Sequence, residues 1–230
     1  MVKHITRIGC GAFIVLLALF PSAAIQAQTL DDWKAALAAA KDSKGCLSIP
    51  YSNRRDQCTR AQAIIDERCA QSQWSCKGLL ETKSLRGNIQ SLKERIEGFK
   101  TEKERLSSQR SSATTDDDKR RIDGKNSELE KTIYERTKQL DELQKSLETD
   151  ISDINIRLEK ARVCLDARMA VQAAFADATS TAQSESDPEV RAIVKDLVPY
   201  WAGKRTGHEE QIQNVKEGVT YCNQCKNGEV

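Results

Sequence analysis

The sequence predicts an all-α protein in which a long antiparallel coiled-coil helical hairpin projects from a small disulfide-stapled helical base. Charged residues make up 30% of the chain and aromatic residues 5%, which does not suit a β-sandwich or an α/β core. No proline occurs between Tyr51 and Asp187, and apolar residues in that span recur at helical spacing. The eight cysteines suggest that disulfide bonds stabilise the remainder.

The first 27 residues have the pattern of a secretory signal peptide. Lys3 and Arg7 precede an apolar run over 8–20, and small residues follow it up to Ala27. The run is shorter than the roughly 20 residues that a membrane span needs, so an uncleaved anchor or a buried helix is the weaker interpretation. We therefore expect cleavage near Ala27, a periplasmic or secreted mature chain, and no stable membrane span after cleavage.

Removal of residues 1–27 changes the charge balance and the cysteine count. Without Lys3 and Arg7, 34 basic side chains face 34 acidic ones, and loss of Cys10 leaves seven cysteines. A chain without excess positive charge gives no reason to expect a nucleic-acid partner. The sequence also lacks a P-loop, a glycine-rich dinucleotide turn and a G-x-S-x-G elbow, so we expect no cofactor and no catalysis.

Residues 28–78 are expected to form the N-terminal part of the base. One helix should begin near Thr29, with Leu30, Trp33 and Leu37 on one face, and should end by Gly45. A second helix should run from about residue 52 to residue 70.

Residues 79–155 carry two apolar seams with heptad spacing, each suited to one partner helix. A polar stretch over 111–118 separates them, and Thr115 and Asp116 are the expected helix caps. The first seam contains Leu85, Ile89, Leu92, Ile96, Phe99 and Leu106, and the second contains Ile122, Leu129, Ile133, Leu140, Leu143 and Leu147.

These two seams match when the chain folds back at the polar stretch. Ile96 then faces Ile133. The polar residues at otherwise apolar seam positions, Lys103 and Asn126, fall opposite each other in one layer. A single polar layer in an apolar seam fixes register at a cost in stability. A dimeric parallel coiled coil is the alternative, and it is weaker because the turn lies between the matched seams.

Residues 156–230 are expected to complete the base. Asp187 followed by Pro188 is a helix start, and Pro199 should kink or end that helix. A final helix should place Ile212 and Cys222 on one buried face.

Six cysteines are disulfide candidates, and Cys225 is the expected free or intermolecular thiol. Spacing favours local bridges Cys46–Cys58 and Cys69–Cys76 and a third bridge Cys164–Cys222, with Cys69–Cys164 as the rival pairing. The candidates are Cys46, Cys58, Cys69, Cys76, Cys164 and Cys222. Cys225 should lie in a polar tail beyond the last helix. His208 could complete a Cys₃His zinc site only in a reducing compartment, so we expect no metal.

The expected function is that of an exported interaction or scaffold protein with a protein partner, whose contacts lie at the hairpin tip. Lys103, Arg110 and Asn126 replace apolar seam residues there. One alternative is a thiol-active or disulfide-exchanging envelope protein that uses the CxxC pair at residues 222–225. Another is a cell-wall or lysozyme-binding helical module that uses exposed Trp74 and Trp201. A homodimer also remains open.

Overall fold

The computed structural model describes residues 28–77 and 82–230, and in these residues the fold is all-α. The expected signal peptide at 1–27 and the expected boundary at 78 lie outside the described residues. The elements are α1 (Leu30–Lys41), a 3₁₀ turn (Gly45–Ser48), α2 (Ser52–Arg68), α3 (Gln71–Trp74), α4 (Thr82–Ser112), α5 (Asp116–Ala182) and α6 (Pro188–Asn227). The described part of the chain contains no β-strand.

The first helix of the base begins with a reciprocal cap. The Thr29 side chain accepts a hydrogen bond from the Asp32 backbone N–H, and the Asp32 carboxylate accepts one from the Thr29 backbone N–H at 2.9 Å. The Thr29 hydroxyl also donates to the Asp32 carboxylate at 2.8 Å, and this bond and the one from the backbone N–H lower the pKa of Asp32. Trp33 then packs edge-on against Tyr51, with 5.6 Å between ring centroids, so α1 is fixed against the start of α2.

Helices α4 and α5 form a hairpin that we call the arm. Only residues 113–115 separate the two helices, and Thr115 caps α5 by accepting a hydrogen bond from the Asp118 N–H. Lys103 pairs with Glu130, and Arg110 pairs with Asp123. Because the later residue of α4 meets the earlier residue of α5, the two helices run antiparallel.

The two helices of the arm bury their apolar residues to different degrees. Ile89, Leu92, Ile96 and Leu106 of α4 are buried, and Ile122 of α5 is buried near the turn. The remaining α5 seam residues are half-buried; they are Leu129, Ile133, Leu140, Leu143 and Leu147. A two-helix arm cannot cover both sides of a seam. Its stability therefore comes from a narrow contact along α4.

Of the expected kink or end at Pro199, the end is wrong, because α6 continues through Pro199 to Asn227. The two C-terminal helices that the sequence suggests are one helix of 40 residues. A proline ring removes one backbone hydrogen bond, and here it points to solvent. Leu197 and Trp201 on either side of it are both completely buried. Burial of these side chains outweighs the lost hydrogen bond.

The core of the base joins α1, α2, α6 and the distal half of α5. Its largest fully buried side chains include Trp33, Phe175 and Trp201. The Trp201 indole N–H donates to the Ser48 hydroxyl at 3.0 Å, and Ser48 donates to the Gly45 carbonyl at 2.7 Å. This chain of hydrogen bonds satisfies the polar atoms that burial removes from water.

A close approach between α3 and α6 requires one particular glycine. The ring of Trp74 lies directly against Gly218, where an added Cβ would overlap the ring atoms. Gly203 on the same helix has open space around it. Gly218 therefore lets the short α3 pack against α6.

The root of the arm is attached to the last turn of α6. The Thr82 hydroxyl donates to the Cys225 carbonyl, and the Arg86 guanidinium donates to the Lys226 carbonyl at 2.8 Å. Lys83 donates to the Glu229 carbonyl at 3.4 Å. These carbonyls lie at or just beyond the C-terminus of α6, where the helix supplies few donors; that of Cys225 also accepts from the Gly228 backbone N–H at 3.0 Å. The arm thus begins by capping the end of the chain.

Candidate functional sites

Three disulfide bonds hold the described part of the base together. They join Cys46 to Cys58, Cys69 to Cys164, and Cys76 to Cys222. The first is the pairing favoured by spacing, and the second is the rival pairing. The favoured Cys69–Cys76 and Cys164–Cys222 pairings are wrong.

The physical reason for the two wrong pairings is the packing of α2 along α5. Cys69 ends α2 and faces Cys164 on α5, with 5.4 Å between their Cα atoms. Cys76 follows α3, which sends it to Cys222 on α6, at a Cα separation of 5.3 Å. Each of these separations lies within the range that a disulfide bond allows. Short sequence distance was therefore a poor guide for Cys69.

Cys225 is a free thiol, but it does not lie in a polar tail. It is 1% exposed and belongs to α6, whose αL cap at Gly228 comes three residues later. It packs in one buried cluster with Cys76, Cys222 and Ile154. We call Cys76, Cys222 and Cys225 the cysteine triad. Tyr221 packs against the same cluster, and the neighbouring Cys225 raises the pKa of its hydroxyl.

The CxxC sequence at residues 222–225 is not a paired dithiol. Cys222 is bonded to Cys76, and Cys225 is free. Both residues lie near the C-terminus of α6, where the helix dipole disfavours a thiolate. The Cα atoms of residues 222 and 225 are one helical turn apart, so both side chains lie on the face that meets Cys76.

The three predicted contact residues all lie near the tip of the arm, and two of them are ion-paired within it. The Lys103 ammonium is 2.6 Å from the Glu130 carboxylate. The Arg110 guanidinium makes two hydrogen bonds to Asp123, the longer at 3.0 Å. The third, Asn126, has a buried amide oxygen without a hydrogen-bond partner. Lys103 and Asn126 therefore do not satisfy one another, because Lys103 pairs with Glu130 and the Asn126 oxygen accepts no hydrogen bond.

The Arg110–Asp123 pair joins the two helices of the arm close to the tip. The hydrogen bonds from Arg110 lower the pKa of Asp123, and the carboxylate in turn raises the pKa of Arg110. Both side chains are about half exposed to solvent. Because exposed pairs are screened, this pair orients the tip more than it stabilises it.

His208 lies in the base, against the ring of Phe175, with ring centroids 6.4 Å apart. Burial lowers its pKa, and the positive charges of Arg168 and Lys204 lower it further. Its Nδ1 and the Nε of Arg168 are buried without hydrogen-bond partners. In the described residues no group of three or more His, Cys, Asp or Glu side chains could hold a metal ion. His208 is thus a partly buried neutral side chain packed against the core.

The tryptophans that the cell-wall or lysozyme-binding alternative would need exposed are packed inside the base. All three tryptophans of the chain are described, and Trp33, Trp74 and Trp201 are each at most 6% exposed. Trp74 also donates its indole N–H to the Cys69 carbonyl at 3.3 Å. None of them offers an exposed ring on which a sugar could stack.

An open groove between α2 and α5 was not anticipated from the sequence. It encloses about 540 Å³, with alanines of α5 forming much of its floor. Arg54 and Arg60 line the α2 side, and Arg54 pairs with Asp177 across the groove. The sequence indicated the alanine-rich helix. It did not indicate how α2 packs on α5, and the groove depends on that packing.

Neither a membrane-spanning helix nor a similar known protein points to a function for this chain, in the described residues or by comparison. None of the helices in residues 28–77 and 82–230 is long and apolar enough to cross a bilayer. No protein-family model, no curated protein and no solved structure matches the chain. The case for a function therefore depends on the geometry of the chain itself.

Proposed function

We propose that the chain is an exported, non-catalytic interaction protein that uses the tip of its arm to contact a protein partner. The observation that carries the proposal is the shape of the arm: 31 residues of α4 lie along α5 and end in a three-residue turn. At about 1.5 Å per residue, the tip stands about 45 Å from the arm root. A catalytic site needs converging groups in a sheltered cavity, whereas a long hairpin presents a small surface at a distance.

The composition of the tip supports contacts there. Lys103, Arg110 and Asn126 carry polar groups into the seam, and the Asn126 amide oxygen has no internal partner. Because this oxygen is buried, a donor of the partner would reach it when the seam opens. Lys103 and Arg110 are bound to carboxylates in exposed pairs, which can be exchanged for partner carboxylates at little cost.

Site-specific photo-crosslinking tests the placement of the contacts. A photoreactive residue would replace Ser111 at the tip, Tyr134 in the middle of the arm, or Arg205 on the base; all three positions are exposed, and none of them is a proposed contact residue. We expect a covalent adduct at 111, found by denaturing gel and mass spectrometry in cells that produce the protein. Adducts at 205 without any at 111 would move the contacts to the base.

A charge exchange provides the matched control for side-chain recognition. Arg110→Glu breaks the pair with Asp123, whereas Arg110→Asp with Asp123→Arg restores a pair with its members exchanged. If a partner reads these charges, both variants lose the adduct at a photoreactive residue placed at Ser111. If only tip folding matters, the exchanged pair retains it.

Export is the second part of the proposal. The disulfide bonds of the base and the absence of a membrane-spanning helix in the described residues are compatible with an extracellular protein. N-terminal sequencing of protein from the periplasm or medium should begin just after Ala27. A chain that retains Met1 in the cytoplasm would contradict export.

One observation supports the thiol-exchanging alternative: in the cysteine triad a free, buried thiol lies beside a disulfide bond. Exchange with another protein requires access, and Cys76, Cys222 and Cys225 are each at most 1% exposed. This geometry favours exchange within the chain over exchange with a substrate protein.

A further inference from the structure

We infer that the cysteine triad is a site of internal thiol–disulfide exchange, in which Cys225 takes the place of Cys222 as the partner of Cys76. The three side chains share one buried cluster, and the described residues hold only one disulfide bond and one thiol in it. Cys222 and Cys225 are three positions apart on α6, so both can face Cys76. Within the cluster, the sulfur of Cys76 therefore has two alternative bonding partners, Cys222 and Cys225.

The exchange is balanced without an outside oxidant or reductant. The Cys225 thiolate attacks Sγ of Cys76, a Cys76–Cys225 bond forms, and the Cys76–Cys222 bond breaks. Cys222 leaves as a thiolate and takes up the proton that Cys225 lost. One disulfide bond and one thiol exist before and after the step.

The two pairings constrain the unfolded chain almost equally. The present bond spans 146 residues, and the alternative spans three more. Loop-closure entropy varies only with the logarithm of loop length, so it favours neither pairing over the other. A Cys222–Cys225 bond would give up that long loop and would strain an intact helical turn. The Cys76–Cys225 pairing is therefore the favoured alternative.

The exchange would change the attachment of the arm. It moves the crosslink by three residues, or about 4.5 Å along α6. The same last turn of α6 accepts hydrogen bonds from Thr82 and Arg86 of α4. Only the final turn before Gly228 needs to shift, because the helix ends there. The position of the crosslink thus sets how the arm root meets the base.

Differential alkylation of the full chain tests the exchange. Protein held without added thiol at about pH 8.5, where thiols ionise, is quenched in acid and denatured, and its free thiols are labelled. Reduction and a second label follow, and fragmentation of tryptic peptide 217–226 places the first label on residue 222 or 225. Cys10 lies in another peptide, so it does not interfere. We expect the first label on Cys222 in at least about one chain in ten, at a rate independent of protein concentration.

Two variants keep the test decisive. Cys222→Ser should fold with a Cys76–Cys225 bond, so neither residue takes the first label. Cys225→Ser should hold the Cys76–Cys222 bond and show no label in peptide 217–226. A first label that stays on Cys225 in the original chain overturns the proposal. So does Cys222→Ser protein in which Cys76 and Cys225 both remain free thiols, or a label on Cys76 together with a Cys222–Cys225 bond.

Discussion

Removing the Cys76–Cys222 bond should cost far more stability than its position near the chain end suggests. Replacing both residues with alanine opens a ring that is shorter than the 146-residue separation, because Cys69–Cys164 already shortens the path. The ring runs from Cys69 to Cys76 and from Cys164 to Cys222, about 65 residues in all. The chain-entropy relation then gives a loss of about 4 kcal/mol.

Two other pairs provide matched comparisons. The Cys69–Cys164 bond closes the same ring of about 65 residues, so its removal should cost the same within about 1 kcal/mol. The Cys46–Cys58 bond closes only a 12-residue separation, and its removal should cost about 3 kcal/mol. We therefore expect the Cys76–Cys222 and Cys69–Cys164 variants to lose similar, large amounts of unfolding free energy, and the Cys46–Cys58 variant to lose less.

Urea unfolding gives the free energies, and two probes separate the parts of the molecule. All three tryptophans lie in the base, so fluorescence reports the base, whereas circular dichroism reports all helices. The midpoint by fluorescence should fall in each disulfide variant. If the Cys76–Cys222 variant lost less than the Cys46–Cys58 variant, the ring argument would be refuted.

The remaining predictions concern side chains of the base and are all measured by urea or thermal unfolding. Ser48→Ala should cost about 1–3 kcal/mol, because it leaves a buried indole N–H without an acceptor, whereas exposed Ser111→Ala should change stability by less than about 0.5 kcal/mol. Gly218→Ala should cost about 1–3 kcal/mol through overlap with a buried ring, and Gly203→Ala, which meets open space, should stabilise by up to about 1 kcal/mol. His208 has a lowered folded pKa, so its contribution is present above its ordinary pKa of 6.5 and is lost as the pH falls toward the folded value. His208→Gln should lose less stability than the original chain over that interval, and equal losses would contradict the assignment.

Local pattern and capping chemistry predicted much of the fold. The helical spacing of the apolar residues and the polar break near Thr115 placed α4 and α5, and Asp187 placed the start of α6. These signals act over a few residues, so they survive without knowledge of tertiary contacts. Pro199 shows the limit, because its local cost was known but the burial of Leu197 and Trp201 that outweighs it was not.

The cysteine pairing shows the same limit at the candidate site. The sequence identified Cys225 as the unpaired thiol, but it did not place Cys225 inside the helix or Cys76 opposite Cys222. Pairing depends on how α2, α3 and α6 pack against α5, which requires long-range contacts. The separation of Gly218 from Trp74 by 144 positions illustrates the distance over which such contacts act. Residue type alone carried no sign of it.

The positions of the crosslinks explain how an arm of modest stability can coexist with a rigid base. No cysteine lies between Cys76 and Cys164, and this interval contains all of α4 and the part of α5 that lies along it. The chain leaves the base at Cys76 and returns at Cys164, and each of these residues is bonded to another part of the base. Opening of the arm from its tip would therefore stop at the two crosslinks, because they hold both helices where the arm joins the base. An arm that separates locally without unfolding the base would expose its seam to the partner of the proposed function.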